Sequence, residues 1–179
     1  MKVFKLVLVA TFVACIATLS HAADKANTLL LDTKSGQVVI ELLPKKAPAH
    51  VQQIRTLANK GFYDGLNFHR VIDGFMAQTG DPLGNGTGGS DLPDLNAEFN
   101  DVSFIRGTVG MARSQNPNSA NSQFFIMFAS APHLDGGYTV FGQVTKGMEH
   151  VDAIKRGRGG NGMVSNPDKI VKMRTADKY

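Results

Sequence analysis

A mainly β fold, a barrel or sandwich whose open ends two helices would cover, is what this sequence predicts, and three features carry the prediction. Eight short runs rich in β-branched, leucine and aromatic residues recur along the chain, separated by clusters of Gly, Asn, Asp and Pro. Only two stretches carry helical periodicity, too few for an alternating βαβ layout. No linker or internal repeat divides the 179 residues, a length that suits a single core.

The elements follow in order. Residues 28–33 and 37–42 are joined by Lys34-Ser35-Gly36 and read as a hairpin. Residues 48–59 form the clearest helix. Pro48 suits a first turn, Val51, Ile54, Leu57 and Ala58 fall on one face, and Gly61 follows as a stop. Strand-like runs come next at 67–72, 75–79, 107–112, 123–128, 139–144 and 170–174. A second, shorter helix is expected at 147–154, where Met148, Val151 and Ile154 share a stripe.

Residues 1–22 stand apart. Lys2 and Lys5 lead into an apolar run at 6–19, and Ser20-His21-Ala22 places small residues before Ala23, the tripartite pattern of a cleavable secretory signal. As a helix that run would be about 21 Å long, short of a bilayer core. An uncleaved anchor and lipoprotein processing at Cys15 are the alternatives, the second disfavoured by Phe12 where a small aliphatic is expected. Cleavage after Ala22 leaves residues 23–179 as one domain with 17 basic and 15 acidic residues, a net charge of +2 rather than +4, and no cysteine. A thiol-free chain suits an oxidising compartment, so a periplasmic location is expected, with no membrane association after cleavage. So small a basic excess does not point to nucleic acid, and Lys155, Arg156 and Arg158 lack interleaved aromatics.

Several common chemistries lack their residues. The glycine-rich stretch at 80–89 is followed by Ser90-Asp91-Leu92-Pro93, without the Lys-Ser/Thr or helix start of a phosphate loop, and reads as a flexible surface loop. His50, His69, His133 and His150 form no HExxH pair and have no cysteine partners, so no metal is expected; Glu149-His150 reads as a solvated face. There is no Gly-x-Ser-x-Gly elbow. Asp91, Asp94, Glu98 and Asp101 lie in turn-rich sequence, where local backbone bonding is the ordinary use of such carboxylates. What remains is chemistry done by binding alone, without a cofactor.

The most unusual window runs from Phe68 to Asp81. In extended conformation Arg70 shares a side with Phe68 and Ile72; after the Asp73-Gly74 turn, Phe75 takes one face and Met76 and Gln78 the other. A second window, 121–128, puts Gln123 and Phe125 on one side. A cation, two amides, and aromatic and thioether groups are thereby expected to converge on one surface. Taken singly, Arg70 also reads as a surface cation, Phe75, Met76 and Phe125 as plain core, and Gln78 and Gln123 as loop-satisfying amides.

Together the strings FHRVI-x-x-FM-x-Q-x-GD and NSQFFI resemble the cyclophilin family of peptidyl-prolyl cis–trans isomerases. The similarity continues through Gly107-Thr108-Val109-Gly110-Met111-Ala112, Leu134-Asp135-Gly136 and Val140-Phe141-Gly142-Gln143-Val144, covering residues 28–172 in the family's order. The resemblance implies a closed eight-stranded antiparallel β-barrel capped by two α-helices. It implies Arg70 as the catalytic cation and Phe75, Met76, Phe125 and Leu134 as the lining of a proline pocket. Gln78 and Gln123 would hold the substrate backbone, with Ala112 and Arg113 along the groove. Tyr138 stands where many eukaryotic members have histidine, as in bacterial members, and His133 where Trp or another aromatic is common, which puts binding of cyclosporin-type inhibitors in doubt. His69 is expected to be hydrogen-bonded within the barrel. The implied partners are proline-containing polypeptides, exported ones given the leader, and the chain is expected to act as a monomer that assists their folding. A peptide-holding module without turnover is the rival reading on the same fold.

Overall fold

The computed structural model describes residues 25–179; the leader expected at 1–22 lies outside them. The described strands are β1 (Thr28–Thr33), β2 (Gly36–Leu42), β3 (Arg70–Ile72), β4 (Met76–Thr79), β5 (Thr108–Met111), β6 (Phe124–Met127), β7 (Val140–Lys146) and β8 (Lys172–Thr175). Two helices, α1 (Pro48–Asn59) and α2 (Met148–Asp152), and a 3-10 turn at Pro132–Leu134 complete the elements used below. All strands belong to one sheet of order β3-β4-β6-β5-β7-β2-β1-β8, with every neighbouring pair antiparallel.

The sheet is a curled half-barrel. β3 and β8 are its ends and no ladder joins them, so the closed barrel implied by the resemblance is corrected to an open one. The reason lies before β3. Residues 67–69 do not extend the strand; instead Asn67 bridges Lys169 and the Phe68 N–H donates to the Asp168 carbonyl at 2.8 Å. A seam of single bonds to the 162–170 segment takes the place of a ladder. It also sends the Phe68 ring into the main core, away from Arg70, against the expectation that the two share a side.

β1, β2 and β8 alternate as half-buried strands do: Leu29, Leu31, Val38, Ile40, Leu42 and Met173 point inward, with Leu29 opposite Ile40 and Leu31 opposite both Val38 and Met173. α1 packs against β8 and buries Val51, Ile54, Leu57 and Ala58, as its periodicity predicts. Its N-cap residue, Ala47, has no side chain to satisfy the first amides. A carboxylate from a distant loop does so: Glu98 accepts from the Ala49 and His50 N–H groups, both at 3.1 Å, and from His50 Nδ1 at 2.6 Å. Local backbone bonding is therefore not what Glu98 does.

β4, β5 and β6 are buried almost throughout, and their alternation serves two cores. Ala77, Val109, Met111, Phe124 and Ile126 face the main core. Met76, Phe125 and Met127 face the other way, into a second cluster with Phe104, Ala131, Leu134 and Val140. A sheet face that solvent would ordinarily wet is thus apolar, and the site lies there.

Candidate active site

The ladder register assembles the site. Arg70 on β3 pairs with Gln78 on β4, Gln78 with Phe125 on β6, and Phe125 with Gly110 on β5. Residues directly opposite in a sheet point to the same face, so a cation, an amide, a ring and an absent side chain form one row. The next row is Ile72, Met76 and Met127. Over these rows lies a recess of about 180 Å³ lined by Arg70, Phe75, Met76, Gln78, Ala112, Arg113, Phe125, Leu134 and Tyr138.

Phe75 reaches the recess from the turn, not the strand. The β4 ladder begins only at Met76, so the alternation that would place Phe75 opposite Met76 does not apply, and both pack against the second cluster. The Phe75 ring stacks on exposed His133 with centroids 5.8 Å apart and planes at 28°. Phe125 is braced by Phe104, stacked with centroids 5.7 Å apart, and by Tyr138, T-shaped to it at 5.9 Å. Tyr138 in turn lies 4.5 Å from the Arg113 guanidinium carbon. Arg113 donates to the Gly137 carbonyl through Nη2 at 2.8 Å and to the Ser114 carbonyl through Nη1 at 2.8 Å. It is therefore a wall more than a free charge.

Arg70 is tethered differently. Its Nε donates to the Asn161 carbonyl at 2.9 Å and its Nη1 to Gln78 Oε1 at 3.1 Å, while Nη2 makes no hydrogen bond within the described residues. Gln78 Nε2 donates to Gln123 Oε1 at 2.9 Å, and Gln123 Nε2 to the carbonyls of Gly86 at 3.1 Å and Gly88 at 2.8 Å. Gln123 stands one step behind the recess. It lines an adjoining groove with Gly86, Gly88, Asn121 and Arg113. The glycine-rich stretch is thus part of the site's wall and not simply surface loop. His69 is buried, and desolvation holds its pKa below the ordinary value, outweighing the opposing Asp81 charge and the Asn67 backbone.

Phe104, Gly110 and Asn161 were not among the expected site residues. Phe104 sits in an aperiodic loop, and Asn161 acts through its carbonyl, so neither side chain announces itself. Gly110 does carry a signal, since a glycine inside a strand marks close approach. A Cβ there would lie 2.6 Å from Phe104 Cε1 and 2.8 Å from Phe125 Cζ. Gly110→Ala must therefore displace both rings, and is expected to cost about 1–3 kcal/mol. Calorimetry should record this as a Tm lower by about 2–10 °C; an unchanged Tm would show that the rings have room to spare.

Comparison with known proteins bears on what the recess does. The family model "Cyclophilin type peptidyl-prolyl cis-trans isomerase/CLD" matches residues 28–175. A "Probable peptidyl-prolyl cis-trans isomerase" of Brucella suis is 57% identical over 176 residues, covering 92% of this chain and 89% of the relative. A peptidyl-prolyl cis-trans isomerase of Helicobacter pylori is 45% identical over 130 residues, covering 71% of this chain and 79% of its own. Among solved structures, a Cryptosporidium parvum cyclophilin crystallised in the presence of the dipeptide Ala-Pro matches with a TM-score of 0.77 at 28% identity, covering 83% of this chain and 98% of its own. A cyclophilin from Hirschia baltica matches with a TM-score of 0.76 at 28% identity, covering 85% and 74%.

Proposed function

The chain belongs to the cyclophilin-type peptidyl-prolyl cis–trans isomerases, and we propose that its recess rotates X–Pro bonds of exported polypeptides, with Arg70 as the catalytic cation. The observation that carries the assignment of roles is the row Arg70–Gln78–Phe125–Gly110 beneath a recess walled by Phe75, Met76 and Leu134. The apolar side of the recess takes a proline ring, and Nη2 of Arg70, not engaged among the described residues, is free to meet the proline nitrogen.

The chemistry asks for these residue types. Amide resonance sets a barrier of about 18–20 kcal/mol to rotation, taking tens of seconds uncatalysed. Twisting the bond returns the lone pair to the proline nitrogen, so a donor placed there binds the twisted state more strongly than the planar one. Arginine suits this because it stays charged and donates only. The ring is gripped by Phe75, Met76, Phe125 and Leu134 while Gln78, whose Nε2 retains an uncommitted hydrogen, and the Ala112–Arg113 segment lie where the flanking chain would run. No proton is transferred and no bond is broken.

The test is a protease-coupled isomerisation assay on an Ala-Pro tetrapeptide, alongside titration of the peptide followed by amide chemical shifts. Acceleration with shifts centred on recess residues supports the reading; binding without acceleration supports a peptide-holding module instead. The export element rests on the leader pattern alone. Protein purified from the periplasmic fraction of an expressing cell is expected to begin at Ala23, and an intact Met1 on the soluble cytoplasmic protein would overturn it.

A further inference from the structure

We propose that Asp81 is a positioning residue for Arg70, acting through the glycine-rich loop and the two glutamines. This rests on the assignment of Arg70 above. Asp81 is 1% exposed, and it lies outside the recess. Its carboxylate accepts three backbone N–H groups of the loop that follows: Leu83 at 2.8 Å on Oδ1, and Asn85 at 2.9 Å and Gly86 at 2.5 Å on Oδ2. Burial raises its pKa, but these three bonds together outweigh burial and hold the carboxyl below its ordinary value. The imidazole of His69 lies nearby, yet no hydrogen bond joins the two, so the carboxylate's bonds go to the loop.

From that cage the polarity runs one way. Gly86 donates its N–H to Asp81 and offers its carbonyl to Gln123 Nε2, which also reaches the Gly88 carbonyl. Carbonyls can only accept, so the nitrogen of Gln123 must face the loop and its oxygen must face Gln78. Gln78 then turns its nitrogen to Gln123 and its oxygen to Arg70, which can only donate. Acceptor-only glycine carbonyls at one end and a donor-only guanidinium at the other leave both amides a single orientation, and the Asp81 carboxylate holds the loop that presents those carbonyls. The loop is also packed closely enough that a Cβ on Gly88 would collide with Asp81 Oδ1. Without the carboxylate the three amides have no acceptor, the glycine carbonyls lose their aim, and Arg70 keeps only its Asn161 tether.

Asp81→Asn sets an amide N–H₂ against backbone N–H donors at unchanged size. The expected result is a fall in kcat of about ten- to a hundred-fold on the Ala-Pro tetrapeptide with KM nearly constant, the scale of a misplaced catalytic group. Two readouts separate this from general damage. In a double-mutant cycle, Asp81→Asn combined with Gln123→Ala should be no slower than the slower single variant, because both cut the same relay. At a temperature well below Tm, the Gln78 side-chain amide resonances should shift in Asp81→Asn. Losses that multiply, or Gln78 resonances that stay in place, overturn the proposal. Should Asp81→Asn fail to fold, Gly88→Ala, which displaces the loop from an intact carboxylate, carries the same two readouts. Full activity in Arg70→Ala would instead defeat the functional assignment, while the amide resonances would still report on the relay.

Discussion

Replacing Arg70 with alanine should lower kcat/KM on an Ala-Pro tetrapeptide by about 10²–10³-fold, the usual cost of removing one donor aimed at developing electron density. The side chain is half-buried, and the groups it leaves behind can be reached by water: the Asn161 carbonyl belongs to an exposed residue, and Gln78 lines the open recess. Tm should therefore change far less than activity. Arg70→Lys sharpens the point. A lysine keeps the charge, yet its ammonium cannot hold a carbonyl through one nitrogen, an amide through a second and present a third to the substrate. It should recover only a small part of the lost rate. Equal rates in wild type and Arg70→Ala overturn the catalytic assignment. A large loss in kcat with KM little changed supports it, because the donor is needed mainly when the bond is twisted.

How much of this was legible beforehand depends on whether a residue acts through its side chain within regular structure. The hairpin of β1 and β2 and the helix α1 were readable because leucine, valine and isoleucine repeat at the strand and helix periods, and those are the residues buried. The recess residues were readable only as a linear motif: nothing in periodicity says that Arg70, Gln78 and Phe125 are ladder neighbours. Two orientation errors share one cause. Phe68 and Phe75 flank β3 and β4 but lie outside their ladders, and alternation holds only where the backbone is paired. The open edge between β3 and β8 leaves no mark in the sequence, because 67–69 has the composition of a strand and is instead stitched to a loop. Asn161, Gly86 and Gly88 contribute carbonyls, which every residue has, so their sequence carries no sign of the role. Glu98 reads as a turn carboxylate in the sequence because its partners lie 48 and 49 positions away.

That distant contact sets a large expected stability effect. Glu98→Ala should cost about 2–3 kcal/mol, combining a lost N-cap with a buried imidazole deprived of its charged partner. In a domain of this size that corresponds to a Tm lower by about 5–10 °C. His50 is fully buried, and its Nε2 already lacks a partner, so the bond from Nδ1 to Glu98 is the ring's only one among the described residues. The pH dependence gives the sign. Burial raises the Glu98 carboxyl, but the His50 ring and the Ala49 and His50 amides outweigh it and bring its pKa below the ordinary 4.5. A depressed folded-state pKa means that the stabilisation is complete above the unfolded value and is lost as pH falls from there through the folded one. Other depressed carboxyls, Asp64 and Asp152 among them, make any variant less stable in acid, so the informative quantity is a difference. The Tm gap between wild type and Glu98→Gln should be constant above about pH 5 and shrink below it, because the glutamine variant has no proton to gain at this site. A gap that persists undiminished at the lowest pH where both proteins fold would mean that packing, and not the charge of Glu98, holds the first turn of α1 in place.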